Sequence, residues 1–135
     1  MPQLKISGEK GLLKDTEIPS NKTIKKSLAS VFKDIEPALL HGDLWSGNFL
    51  ISDLGNPYLI DPAVYYGDAE VDIAMSKLFG GFGDSFYVAY LKESGLASFS
   101  DAKIEVYQLY YLLVHLNLFG RSYYQSVSSI LKRYF

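Results

Sequence analysis

Apolar positions recur at helical spacing through residues 21–35. Ile24, Leu28, Val31, Phe32 and Ile35 form one stripe of a 3.6-residue period. Ser20 or Asn21 can cap this helix, and Pro37 stops it. Lys22, Lys25 and Lys26 fall on its outer side as a solvated face. The first twenty residues show little periodicity and carry Gly8, Gly11 and Pro19, so 1–20 is expected to be a poorly structured segment. Beyond Pro37, Ala38-Leu39-Leu40 is a short apolar run, and residues 49–52 and 58–60 read as two short strands. Asp53-Leu54-Gly55-Asn56-Pro57 between them is turn chemistry, which makes a hairpin. The rest is helical. One segment runs over 69–79 and ends at Gly80-Gly81, and another runs over 84–94 and ends at Gly95. Ser100 or Asp101 opens a long helix to near Gly120, apolar almost all round and therefore expected to be central and buried. Ser122 with Gln125 makes a capping box for a last helix to about Tyr134. The pattern predicts a mostly α fold with one small β-hairpin.

Composition narrows the class. The chain has 135 residues, 48% of them apolar and 15% aromatic, enough for a hydrophobic core and inconsistent with disorder. Thirteen basic residues stand against fifteen acidic ones, which argues against a nucleic-acid binder that works by neutralising phosphates. There is no cysteine, so disulfides and cysteine-ligated zinc are excluded. The N-terminus lacks an apolar signal core, and the longest apolar stretch, 106–116, is interrupted by Gln108 and His115 and is too short to span a bilayer. The expectation is a soluble cytoplasmic protein that binds neither membrane nor nucleic acid.

Candidate chemistry gathers around the hairpin. Asp43 and Asn48 lie five apart on the loop that leads into its first strand, and Asp61 follows its second. Antiparallel pairing makes Asn48 and Asp61 neighbours, so three oxygen-bearing side chains converge at one end of the hairpin. Oxygen ligands without His or Cys suit a hard cation, and magnesium takes only one or two protein carboxylates plus waters and phosphates. Asp43 is then left to accept a proton. That division of labour is what phosphoryl transfer requires. The D-x-x-x-x-N spacing, with His41 two residues earlier, matches the catalytic loop of protein kinases, although Asp61 is followed by Pro62-Ala63. His41 reads as a residue that holds the loop by hydrogen bonds, and Asp53 and Asp68 read as turn residues.

His41-Gly42-Asp43-Leu44-Trp45-Ser46-Gly47-Asn48, Ile60-Asp61-Pro62-Ala63, Tyr66-Gly67 and Leu78-Phe79-Gly80-Gly81-Phe82 together resemble the fructosamine kinase (ketosamine-3-kinase) family. The Tyr107-Gln108-Leu109 and Phe119-Gly120-Arg121 stretches add to the likeness, which covers roughly residues 25 to 135. The resemblance implies a protein-kinase-like fold related to aminoglycoside and choline kinases. It also implies ATP-dependent phosphorylation of the 3-hydroxyl of a ketoamine sugar on a glycated lysine or protein, a deglycating activity. Carried onto this sequence, it makes Asp43 the catalytic base and Asn48 and Asp61 the Mg2+ ligands. Trp45 becomes a platform for the acceptor sugar, with simple packing as the alternative. Asp72, in Glu70-Val71-Asp72-Ile73-Ala74, resembles a buried Asp that braces the catalytic loop.

The recognisable pieces all belong to the helical C-terminal lobe of such a kinase, spanning 21–135. Before residue 41 there is no strand series, no Val-Ala-Ile-Lys pattern and no glycine loop. An isolated lobe is expected to bind Mg-ATP weakly and to turn over very slowly or not at all. It would expose the surface that meets an upper lobe, which invites a homodimer. Two other readings stand beside this one: an aminoglycoside- or choline-type kinase, and a non-catalytic remnant acting through self- or partner-association.

Overall fold

Ser20 starts the first helix that the periodicity predicts, its hydroxyl oxygen accepting the N–H of Thr23 at 3.1 Å. The computed structural model describes residues 2–135. In chain order the helices are α1 (Pro2–Glu9), α2 (Asn21–Val31), α3 (Glu70–Leu78), α4 (Asp84–Ser94), α5 (Asp101–Phe119) and α6 (Tyr124–Tyr134). The strands are β1 (Pro37–Leu40), β2 (Phe49–Ile51), β3 (Pro57–Leu59) and β4 (Tyr65–Asp68). The chain divides into two compact units. One joins the residues up to Asp34 to Glu105–Phe135, and the other is Ile35–Ile104. No helix among the described residues is long and apolar enough to cross a membrane.

The first unit corrects the expectation for 1–20. Residues 2–9 are helical, and Asp15–Glu17 form a 3-10 turn. Leu4, Ser7 and Leu13 are buried. The side chain of Asn117, near the end of α5, holds this segment in place. Its Oδ1 accepts from the Ser7 hydroxyl at 2.8 Å, and its Nδ2 donates to the Gln3 carbonyl at 3.0 Å. Lys10 adds a bond to the Asn117 carbonyl at 2.7 Å. These partners are more than a hundred residues apart, which is why local periodicity does not reveal the helix.

Two helices also differ from expectation in their limits. α2 stops at Val31, and Asp34 takes a left-handed φ of 50°, so Ile35 leaves the stripe and is exposed. α5 is not buried all round. Val106, Leu109, Leu112, Leu113 and Leu116 are buried, while Tyr110, Leu118 and Phe119 face solvent. α6 begins after a 3-10 turn, Arg121–Tyr123, with no side-chain cap at Tyr123, so the Ser122–Gln125 capping box is not what starts it. Its buried face is Val127, Ile130 and Leu131.

The second unit holds the strands, which form two antiparallel pairs where one hairpin was expected. β2 and β3 are that hairpin, with Phe49 opposite Leu59 and Ile51 opposite Pro57. β1 pairs with β4, Pro37 opposite Asp68 and Leu40 opposite Tyr65. Neither strand of this second pair alternates clearly enough to announce itself. α3 buries Ile73, Ala74 and Ser76. α4 ends where Gly95 turns left-handed, φ 72°, a conformation a Cβ would penalise. Phe82, between α3 and α4, meets Phe49 edge-on at 5.6 Å and Phe86 at 4.5 Å, which packs the hairpin.

Candidate active site

The loop that leaves β1 is held by one carboxylate. Asp72, in the first turn of α3, accepts the His41 N–H on Oδ2 at 2.7 Å and the Gly42 N–H on Oδ1 at 2.9 Å. Gly42 sits at φ 81°, and a Cβ there would collide with the carbonyl oxygen of Ala63. That close approach is used, because the Ala63 N–H donates to the His41 carbonyl at 2.8 Å. The His41 ring completes the loop. Its Nε2 lies 3.1 Å from the Ile60 carbonyl, and its Nδ1 lies 3.4 Å from the Asp43 N–H. A carbonyl only accepts and an amide N–H only donates, so the ring carries its proton on Nε2 and both nitrogens are engaged.

Asn48 closes the loop from its other end. Trp45 opens the 3-10 turn Ser46–Asn48, with the Asn48 N–H on the Trp45 carbonyl at 3.0 Å. The buried Asn48 side chain then donates Nδ2 to the Asp43 carbonyl at 2.9 Å and to Asp43 Oδ2 at 2.8 Å. The Ile60 N–H donates to the Asn48 carbonyl at 3.0 Å, so Asp61 follows directly on the residue that hydrogen-bonds to Asn48. Asp61 is exposed and takes a left-handed φ of 50°. Trp45 is 37% exposed, with its indole lying against Gly47, where a Cβ would strike the ring. The turn after α3 reaches this loop too, since a Cβ on Gly80 would come within 3.2 Å of the Ser46 hydroxyl.

The donor set fits a hard cation. Asn48 spends its Nδ2 on Asp43, so its amide oxygen is the atom that could reach a cation, and Asp61 offers an exposed carboxylate. Among the described residues no group of three or more His, Cys, Asp or Glu side chains could form an all-protein cage. Magnesium needs none, because it keeps waters and takes substrate phosphates as its remaining ligands.

The sequence reading missed an ion network beside the loop. Asp68, expected as a turn residue, is buried. Lys103 Nζ lies 3.0 Å from Asp68 Oδ2 and 3.1 Å from Glu70 Oε2. Burial works to lower the Lys103 ammonium, but its bonds to Asp68 and Glu70 outweigh this and hold it above the ordinary lysine value. Tyr90 is pushed up, first by burial and then by the negative charge of Asp72, Asp68 and Glu70. The acidic pair at the start of a helix was a visible signal, but its cation lies far along the chain.

A family model described as fructosamine kinase matches residues 1–135. The chain belongs to the fructosamine kinase family. Membership thus extends over the whole chain, beyond the 25–135 that the motifs marked. It is 53% identical over 100 residues to a protein named probable ketoamine kinase from Lactiplantibacillus plantarum, a match covering 74% of this chain and 36% of that one. It is 44% identical over 114 residues to a chloroplastic protein-ribulosamine 3-kinase of Arabidopsis thaliana, covering 83% of this chain and 35% of that one. A crystal structure described as a fructosamine-3-kinase from Thermobifida fusca superposes with a TM-score of 0.77 at 34% identity, covering 98% of this chain and 46% of the other. The chain therefore spans about a third of the length of the curated relatives it matches.

Proposed function

We propose that this chain supplies the base and the metal-holding residues of an ATP-dependent ketoamine kinase, and that it corresponds to the helical C-terminal lobe of a kinase-like fold. The observation that carries the reading is the pair of hydrogen bonds that Asn48 Nδ2 donates to Asp43, made beside the hairpin end that bears Asp61. Asn48 holds Asp43 Oδ2, so Oδ1 is the oxygen that takes the proton of the acceptor hydroxyl. That hydroxyl oxygen then forms its bond to the γ-phosphorus as the bond to the ADP oxygen breaks. Magnesium-bound ATP supplies the phosphoryl group and the counter-charge for the transfer. Asn48 Oδ1 and the Asp61 carboxylate would hold the ion, Trp45 offers a half-exposed ring to the acceptor sugar, and Asp72 keeps the loop in register.

The relatives' names, ketoamine kinase and protein-ribulosamine 3-kinase, favour a ketoamine over an aminoglycoside or choline acceptor. Among the described residues, no glycine-rich loop follows a strand and no lysine lies on one. Positioning supplies most of the catalysis in phosphoryl transfer, so we infer that the 135-residue chain alone turns over very slowly or not at all.

ADP release with Mg-ATP and fructose-lysine or ribulose-lysine tests this, with Asp43→Asn as background. Release at or barely above the variant's is expected, and brisk release that needs both acceptor and Asp43 would overturn the inference of poor turnover. Release that exceeds the variant's but ignores the acceptor counts against a ketoamine as the substrate.

One observation favours self-association as well. Leu39, Ile51, Val64 and Tyr66, all in the second unit, are more than 60% exposed. Leu39 and Tyr66 lie opposite each other across the β1–β4 pair, and this exposed apolar pair suits a homodimer. Light scattering over a concentration series is expected to show a dimer, and a monomer at high concentration would exclude it.

A further inference from the structure

We infer that Lys103 is a positioning residue for the catalytic loop, acting on it through Asp68, Glu70 and Asp72. The inference rests on the kinase reading only in taking the loop of Asp43 as the working loop.

The two carboxylates are buried, Lys103 is mostly so, and each carboxylate oxygen is engaged. Lys103, Asp68 and Glu70 side chains are 18%, 8% and 6% exposed. Lys103 takes one oxygen of each carboxylate. The other Asp68 oxygen accepts the Glu70 N–H at 3.0 Å, and the other Glu70 oxygen accepts the Ser100 N–H. With each acceptor filled, a low-dielectric network has one arrangement rather than several.

That network decides where α3 starts. Ala69, the residue before the helix, provides no side-chain cap. The Asp68 carboxylate does this work instead, on the first N–H of the helix, and Lys103 fixes that carboxylate. Two residues further on, Asp72 spends both oxygens on the His41 and Gly42 N–H groups. A shift of the α3 start therefore moves Asp72 against the loop that carries Asp43.

Charge points the same way. Asp68, Glu70 and Asp72 crowd three carboxylates into the entry and first turn of one helix, and together they raise the Tyr90 hydroxyl after burial has done so. Lys103 is the cation the structure sets against two of them. Without it, mutual repulsion would splay the turn that presents Asp72.

The test is amide hydrogen exchange by NMR on the full chain, comparing Lys103→Met, Lys103→Arg and a control, Arg133→Met, which breaks the Glu105–Arg133 pair elsewhere. In Lys103→Met, exchange at His41 and Gly42 should quicken about tenfold or more while the α4 amides hold, and Lys103→Arg should restore protection. The control should leave His41 and Gly42 unchanged. Uniform quickening, or none at His41 and Gly42, would overturn the inference. Should Lys103→Met not fold, Glu70→Gln must give the same local pattern or the inference fails. Mn2+ affinity, read in parallel by water-proton relaxation, should fall in Lys103→Met and recover in Lys103→Arg. Failure of Mn2+ to bind the unsubstituted chain would sink the kinase reading itself, and the exchange pattern alone would then decide the brace.

Discussion

The Asn48 side chain donates to Asp43 twice, at 2.9 Å to its backbone carbonyl and at 2.8 Å to its carboxylate. One amide thus fixes both the backbone and the side-chain rotation of the proposed base. Asn48→Ala removes both bonds and the amide oxygen. At about 1 kcal/mol per bond, a loss of roughly 2 kcal/mol is expected in urea unfolding, with Mn2+ affinity falling in the same variant. Full retention of Mn2+ affinity would take Asn48 out of the ligand set.

Gly42 and Gly55 offer a controlled comparison, since both are left-handed, at φ 81° and 79°. Gly55→Ala meets no atom within 4 Å and should cost about 1 kcal/mol for the conformation alone. Gly42→Ala must also displace the Ala63 carbonyl, so it should cost clearly more, about 3 kcal/mol or beyond. Equal urea midpoints for the two variants would mean that the loop does not lie against Ala63.

Asp72 satisfies two backbone donors, so its substitutions should rank by how many remain satisfied. Asp72→Asn keeps one acceptor oxygen and should lose less than Asp72→Ala, which strands both N–H groups at about 1–3 kcal/mol each. Thermal unfolding orders the three proteins. Equal loss in both variants would show that charge, not acceptor count, is what the loop needs.

Much of this site was legible because it is local. Asp43, Asn48 and Asp61 lie on one short stretch, and a turn-rich pentapeptide between two apolar runs is enough to bring their loop ends together. The helix ends were legible where a glycine takes a left-handed φ, as at Gly95 and Gly120. What stayed hidden depends on partners distant in sequence. The β1–β4 pairing joins strands on either side of the whole hairpin. α1 is tied to Asn117, and Asp68 is tied to Lys103. None of these leaves a period or a spacing to read. The Ser122–Gln125 signature failed for a different reason, because Gly120 sends the chain into a 3-10 turn that overrides the local cap.

Lys103 sets a pH dependence. Burial opposes its charge, but Asp68 and Glu70 prevail, so its folded value lies above 10.5. A raised value means that the charged form is favoured by folding. The contribution is then complete below the unfolded lysine value and fades as pH rises through the folded one. Lys103→Met should be less stable than the unsubstituted chain by about 3 kcal/mol or more, since a buried network loses its cation. That gap in urea unfolding should be constant from about pH 6 to about pH 9 and narrow above about pH 10.5. A gap that widens with alkalinity would contradict the assignment.

Paramagnetic broadening by Mn2+ tests, residue by residue, the proposal that Asn48 and Asp61 hold the divalent ion beside Asp43. In 15N-labelled chain with ATP, sub-stoichiometric Mn2+ should broaden the Asn48, Ile60 and Asp61 amides first, and Asp61→Asn should abolish the effect while leaving the remaining spectrum in place. Broadening centred elsewhere, or undiminished in Asp61→Asn, would place the ion away from Asn48 and Asp61.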